Sequence, residues 1–121
     1  MDIIRQIAVF GDSILKGIQL NPANEKYITD NHIDLDMLRN TYALAIENFS
    51  KFGCTITKGC EILKKRLSRG LECDIVVMDF GGNDCDFDWQ AISENPEAEH
   101  QPHTPLDVFE QTYRSTIHML R

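Results

Sequence analysis

Ser13 stands directly after the run Ile7-Ala8-Val9-Phe10-Gly11-Asp12, and a serine hydroxyl in that position can serve as a nucleophile. Four apolar residues in a row, closed by a glycine, read as a buried strand that opens into a tight turn. In a parallel sheet the carboxyl ends of the strands are where ligands bind. Two further strand ends carry useful groups. Gly53 follows a weaker strand pattern over Ile46 to Phe52, and Gly81-Gly82-Asn83-Asp84 follows Asp74-Ile75-Val76-Val77-Met78-Asp79-Phe80. A glycine lets backbone approach a ligand closely. Asn83 offers an NH2 donor without a charge. Acyl transfer builds negative charge on a carbonyl oxygen, and neutral donors converging on that point stabilise it.

The elements that must position these groups follow from periodicity. Ile3 to Phe10 is the first strand, Ile14 to Leu20 starts a short helix, and Asn21-Pro22-Ala23-Asn24 breaks it. The polar residues of 21–33 read as an insertion or lid. Leu35, Leu38, Tyr42, Ala45 and Ile46 fall at helical spacing, with Asp34 and Asp36 favouring the N-terminal dipole. Ile46 to Phe52 contains a second, weaker strand. Cys60, Leu63, Leu67 and Leu71 form another helical face, closed by Gly70. The third strand is followed by an acidic, proline-bearing loop to Pro102, with one helical turn near Trp89. Thr104-Pro105-Leu106-Asp107 then predicts a helix start with proline at the first helical position.

The resulting order, βαβαβα, predicts an α/β domain over residues 1–121 with a parallel sheet and right-handed crossovers. All three glycine turns then lie along one edge of that sheet, so Ser13, Gly53 and Asn83 can converge.

Composition narrows the function classes. The 121 residues are 42% hydrophobic and 26% charged, an ordinary globular balance. A formal charge of -7 argues against nucleic acid, since the one basic cluster, Lys64-Lys65-Arg66 with Arg69, reads as a solvated helix end. No apolar run approaches the roughly 20 residues of a membrane span. Cys54, Cys60, Cys73 and Cys85 show no CxxC pairing, and nothing resembles a secretion signal, which points to reduced thiols in the cytoplasm. His100 and His103 sit three apart among Pro96, Pro102 and Pro105, a loop setting rather than a metal site.

Phe10-Gly11-Asp12-Ser13 resembles the first block of the SGNH (GDSL-type) hydrolases. Gly53, within Asn48-Phe49-Ser50-Lys51-Phe52-Gly53-Cys54-Thr55, looks like the second block, and Gly81-Gly82-Asn83-Asp84 matches the GxND block. The resemblance covers essentially the whole chain, in order. It implies a flavodoxin-like three-layer αβα fold and a serine esterase acting on a small-molecule or carbohydrate ester, without a cofactor or metal. On that reading Ser13 is the nucleophile, and the oxyanion is held by the Ser13 and Gly53 amides and the Asn83 side chain. Asp12, Gly81 and Asp84 line the same site. Asp12 and Asp84 also accept turn N–H groups, each in its own loop, and neither is assigned to proton transfer.

The chain departs from that family at its fourth block. No aspartate is followed three residues later by histidine, so the DxxH base and its orienting acid are missing, and no further strand pattern follows Phe80. The expectation is an N-terminal portion with about three strands, inactive alone, with an exposed sheet edge that favours self-association. In the five-strand order 2-1-3-4-5 of the complete domain the third strand is central, and its apolar run fits burial on both faces. The absence of strands four and five leaves one of its edges unpaired. The competing reading is a phosphoacceptor receiver domain, with Asp12 and Asp79 holding Mg²⁺. It lacks the paired acids after the first strand and the lysine after a fifth. A binding module without catalysis on the same fold is a third reading. A P-loop is excluded, because Lys16 stands where its second glycine is required.

Overall fold

The computed structural model describes residues 3–30 and 32–121. Its centre is a three-stranded parallel sheet of β1 (Arg5–Gly11), β4 (Leu44–Asn48) and β5 (Ile75–Asp79), in the order β4-β1-β5. Helices α1 (Ser13–Lys16), α2 (Leu35–Tyr42), α3 (Ile56–Ser68), α4 (Trp89–Glu94) and α5 (Leu106–Met119) flank it. This is the α/β arrangement the pattern predicts. β1 lies between its two partners, which is the strand order of the first three strands of a flavodoxin-like sheet. Among the described residues no helix is long and apolar enough to cross a membrane.

Alternation along β1 decides which face carries the core. Ala8 and Phe10 are buried and Ile7 and Val9 only half-buried, as expected when one face of a strand is better covered. Phe10 stacks on Phe49 at 5.1 Å, and Leu63 of α3 completes the centre, with Leu67, Val76, Met78, Phe80, Met119 and Leu120 packed around it. α3 and α5 pack against each other over this face. A glycine in α3 permits the fit. A Cβ at Gly59 would lie 2.2 Å from the Phe80 ring, so the ring occupies the space a side chain would need.

Local chemistry sets the helix ends. Thr55 caps α3 by accepting from the Lys58 amide. At the far end the Leu71 amide donates to Arg66 and the Gly70 amide to Leu67, with Gly70 at φ +87°, a Schellman closure. α2 is capped by Asp34 and ends at Tyr42, with Ala43 left-handed. It stops short of the predicted Ile46, because Leu44–Asn48 pairs with β1 from Arg5 to Val9.

Three expectations are corrected. The helix expected over Ile14 to Leu20 is a single turn, and β2 (Ile18–Asn21) and β3 (Lys26–Thr29) form an antiparallel hairpin across what reads as a polar insertion. Asn21 closes its turn by accepting from Ala23, and Tyr27 packs on Phe52 at 5.7 Å. Asn31, also within that insertion, lies outside the described residues. Pro105 occupies the cap position of α5 rather than its first turn, and Thr104 spends its hydroxyl elsewhere. Finally, the apolar run of β5 is not buried on both faces: Ile75 and Val77 on its outer face are 39% and 41% exposed. Among the described residues β5 pairs with β1 alone, the unpaired edge expected of a sheet of about three strands.

Candidate functional site

Parallel pairing brings the first and third motifs together. Gly11 lies opposite Asp79 in the register of β1 and β5, so Asp12-Ser13 and Phe80-Gly81 leave the sheet side by side. Gly11 is required by space, since a Cβ there would stand 2.7 Å from Leu15 Cδ1 and 3.0 Å from the Asp79 carbonyl. Asp12 is buried and accepts from the Ile14 amide at 2.9 Å, which fixes the turn that presents Ser13 as the first residue of α1. The same carboxylate faces the third motif: a Cβ placed on Gly82 would be 3.6 Å from Asp12 Oδ2.

The second motif joins by backbone. After β4 the chain continues along β1, with the Phe49 amide donating to Val9 at 2.7 Å and the Lys51 amide to Gly11 at 3.1 Å. It then turns through Gly53, exposed and left-handed at φ +69°, a backbone that suits glycine. Asn83 reaches across to this loop, donating one amide hydrogen to the Cys54 carbonyl at 3.1 Å. Its second N–H remains to donate elsewhere. Among the described residues neither the Ser13 nor the Gly53 amide is engaged, and the Ser13 hydroxyl has no partner. Ser13 and Asn83 are half-buried.

Asp84 does not stay in its own loop. Its carboxylate accepts from the Ile56 amide at 3.0 and 3.1 Å and from the Thr104 hydroxyl at 2.6 Å, while its carbonyl accepts from the Thr104 amide. It therefore binds the first turn of α3 and the entry to α5 to the motif that carries Asn83. The expectation that Asp84 serves its own turn is corrected accordingly. Cys54, buried between these loops, has its thiol pushed up from the ordinary value by burial, with Asp84 and Asp12 adding to the rise against Lys58 and Lys51. The neutral thiol is correspondingly the favoured form of that sulfur.

Two cavities of similar size flank the motifs. One of about 310 Å³, largely apolar, is walled by Gly81, Cys85, Phe87, Leu106 and Phe109. The other, about 320 Å³, lies on the β4 side between Lys16, Asn48, Ser50 and Arg66. A larger cavity, about 660 Å³, opens at the opposite edge of the sheet, among Leu67, Cys73, Val76, Tyr113 and Ile117, away from all three motifs. Trp89 serves its loop: its indole donates to Asp86 at 2.8 Å, and that bond holds the Asp86 carboxyl below the ordinary range.

The histidines fall outside the motif line. His100 bonds the Asn95 carbonyl, the His103 amide donates to Asp86, and His118 sits in the last turn of α5, toward the amino edge of the sheet. The one histidine in side-chain contact with a carboxylate, among the described residues, is His32, whose Nδ1 is 3.2 Å from Asp30 Oδ1. The Asp30 amide donates to Gly17, the residue that caps α1. Asp12 and Asp79, the pair a receiver domain would use, differ in setting, one buried in a turn and the other exposed. Among the described residues no group of three or more His, Cys, Asp or Glu side chains is placed to share a metal ion.

No family model matches this chain, and no curated protein is significantly similar to it.

Proposed function

We propose that the chain carries the nucleophile and oxyanion hole of a serine-dependent ester hydrolase of the SGNH type. The observation that carries this reading is that three separate segments, joined by Gly11–Lys51 and Asn83–Cys54 hydrogen bonds, meet at one sheet edge with unengaged donors. Ser13 Oγ attacks the ester carbonyl carbon and releases its proton to water, the carbonyl oxygen takes the negative charge, and the Ser13 amide, Gly53 amide and free Asn83 N–H stabilise it. Each such donor is worth about 3 kcal/mol of barrier in comparable sites. Collapse breaks the ester C–O bond, the departing alkoxide takes a proton from water to leave as the alcohol, and water then hydrolyses the acyl-serine to the acid and free Ser13. The apolar cavity beside Gly81 suits the acyl group of a small-molecule ester. We assign the chain to the cytoplasm, a reading that its four free thiols suit.

Ser13 is hydrogen-bonded to no histidine among the described residues, so its hydroxyl is unactivated and the chain alone turns over slowly. The oxyanion donors still act on attack by the unactivated Ser13 hydroxyl, so the rate is slow and depends on Ser13. The test is hydrolysis of 4-nitrophenyl butyrate by the chain and by Ser13→Ala. The expected result is a slow rate that Ser13→Ala abolishes. Equal rates for the two proteins would overturn the proposal.

A further inference from the structure

The cavity on the β4 side is positively charged within a molecule of negative net charge. The chain carries a formal charge of -7, yet this cavity is lined by Lys16, Lys51 and Arg66 and by no acidic residue. None of these three cations pairs with a carboxylate among the described residues. Arg66 lies over the Phe49 ring at 4.6 Å, which fixes its guanidinium without neutralising it. Thr29 and Asn48 supply further polar groups, and Ser50, 6% exposed, holds a hydroxyl with no hydrogen-bond partner. A buried unpaired hydroxyl beside unpaired cations is an arrangement that an anion completes.

We infer that this cavity binds a small anionic group, a phosphate or a carboxylate. Its volume, about 320 Å³, lies at the small end of ligand sites. It adjoins the proposed nucleophile by covalent and hydrogen-bonded links. Lys16 ends the helix that Ser13 begins, Asn48 donates to the Leu15 carbonyl at 2.8 Å, and Lys51 lies two residues before Gly53. The anion is accordingly a part of the ester substrate that lies away from the apolar cavity, and this assignment of its role rests on the hydrolase reading. The site itself does not.

The experiment is a titration of the ¹⁵N-labelled chain with inorganic phosphate and, separately, with succinate, following the Asn48, Ser50 and Lys51 amides. The expected result is saturable shifts at these amides with at least one of the two anions, and an affinity about tenfold weaker in Lys16→Ala/Lys51→Ala. Both substitutions lie at exposed or half-exposed positions, so a folded variant is expected, and its spectrum checks this directly. Ser13→Ala should bind as the unaltered chain does. Phosphate alone, or succinate alone, identifies the anion. No shift with either, or unchanged affinity in the double variant, overturns the site. Anion binding that persists in a chain lacking Ser13-dependent hydrolysis removes the hydrolase reading and leaves the site standing.

Discussion

The Asp84 carboxylate and the Ile56 amide, 28 positions apart in sequence, are joined by hydrogen bonds of 3.0 and 3.1 Å, which fix the Asn83 loop to the first turn of α3. Asp84 is 2% exposed, so its removal leaves the Ile56 amide and the Thr104 hydroxyl without their acceptor. Asp84→Ala should destabilise the chain by about 1.5–3 kcal/mol, the range for bonds to a charged group. Urea unfolding followed by circular dichroism measures it, and a loss under about 0.5 kcal/mol would show that the clamp contributes little.

Gly59→Ala offers a contest between two effects of known sign. Helix propensity favours alanine by about 1 kcal/mol, but the new Cβ would meet the Phe80 ring at 2.2 Å. Overpacking of that kind costs about 1–3 kcal/mol, so net destabilisation is expected. Combining it with Phe80→Leu should recover part of the loss in a double-mutant cycle. A stabilised Gly59→Ala would mean that the ring moves aside freely.

Much of this was legible in the sequence, and the omissions have physical causes. β1 contains the apolar run Ile7 to Phe10 closed by Gly11, and β5 contains Ile75 to Met78 shortly before Gly81-Gly82, the clearest signal a parallel strand gives, and their ends position Ser13 and Asn83. The β2–β3 hairpin also had a signal: Ile18-Gln19-Leu20 and Tyr27-Ile28-Thr29 flank a turn rich in Asn and Pro. It was masked because Ile14, Leu15 and Ile18 also fit helical spacing. The reach of Asp84 to Ile56 had none, since a carboxylate after a glycine turn reads equally well as a local cap. Nor does Gly59 announce the ring it accommodates.

The cysteines should separate by reactivity. Burial holds the Cys54 thiol above its ordinary pKa, whereas Cys85 is exposed. With the folded value raised, the neutral thiol is favoured by folding, so this contribution is complete below the unfolded pKa and is lost as pH rises through the folded one. Iodoacetamide at pH 8 should label Cys85 first and Cys54 last, as read by peptide mass mapping. Comparable rates at the two sites would contradict the burial of Cys54.

We propose that β5 pairs with a second copy, because its outer edge is unpaired among the described residues and Ile75 and Val77 are partly exposed beside it. Sedimentation should show concentration-dependent association, and Val77→Lys should shift the chain toward the monomer. A monomer at all concentrations would remove this interface.

The most direct measurement of the central claim is the site of acylation. The chain is incubated with 4-nitrophenyl acetate, quenched in acid and mapped by mass spectrometry, alongside Ser13→Ala and Asn83→Ala. The account predicts one acetyl group on Ser13, absent from Ser13→Ala and formed about 10²-fold to 10³-fold more slowly in Asn83→Ala, the effect of losing one oxyanion donor. An acetyl group carried by Cys85 or a lysine with Ser13 unmodified, or a rate at Ser13 indifferent to Asn83, would contradict it.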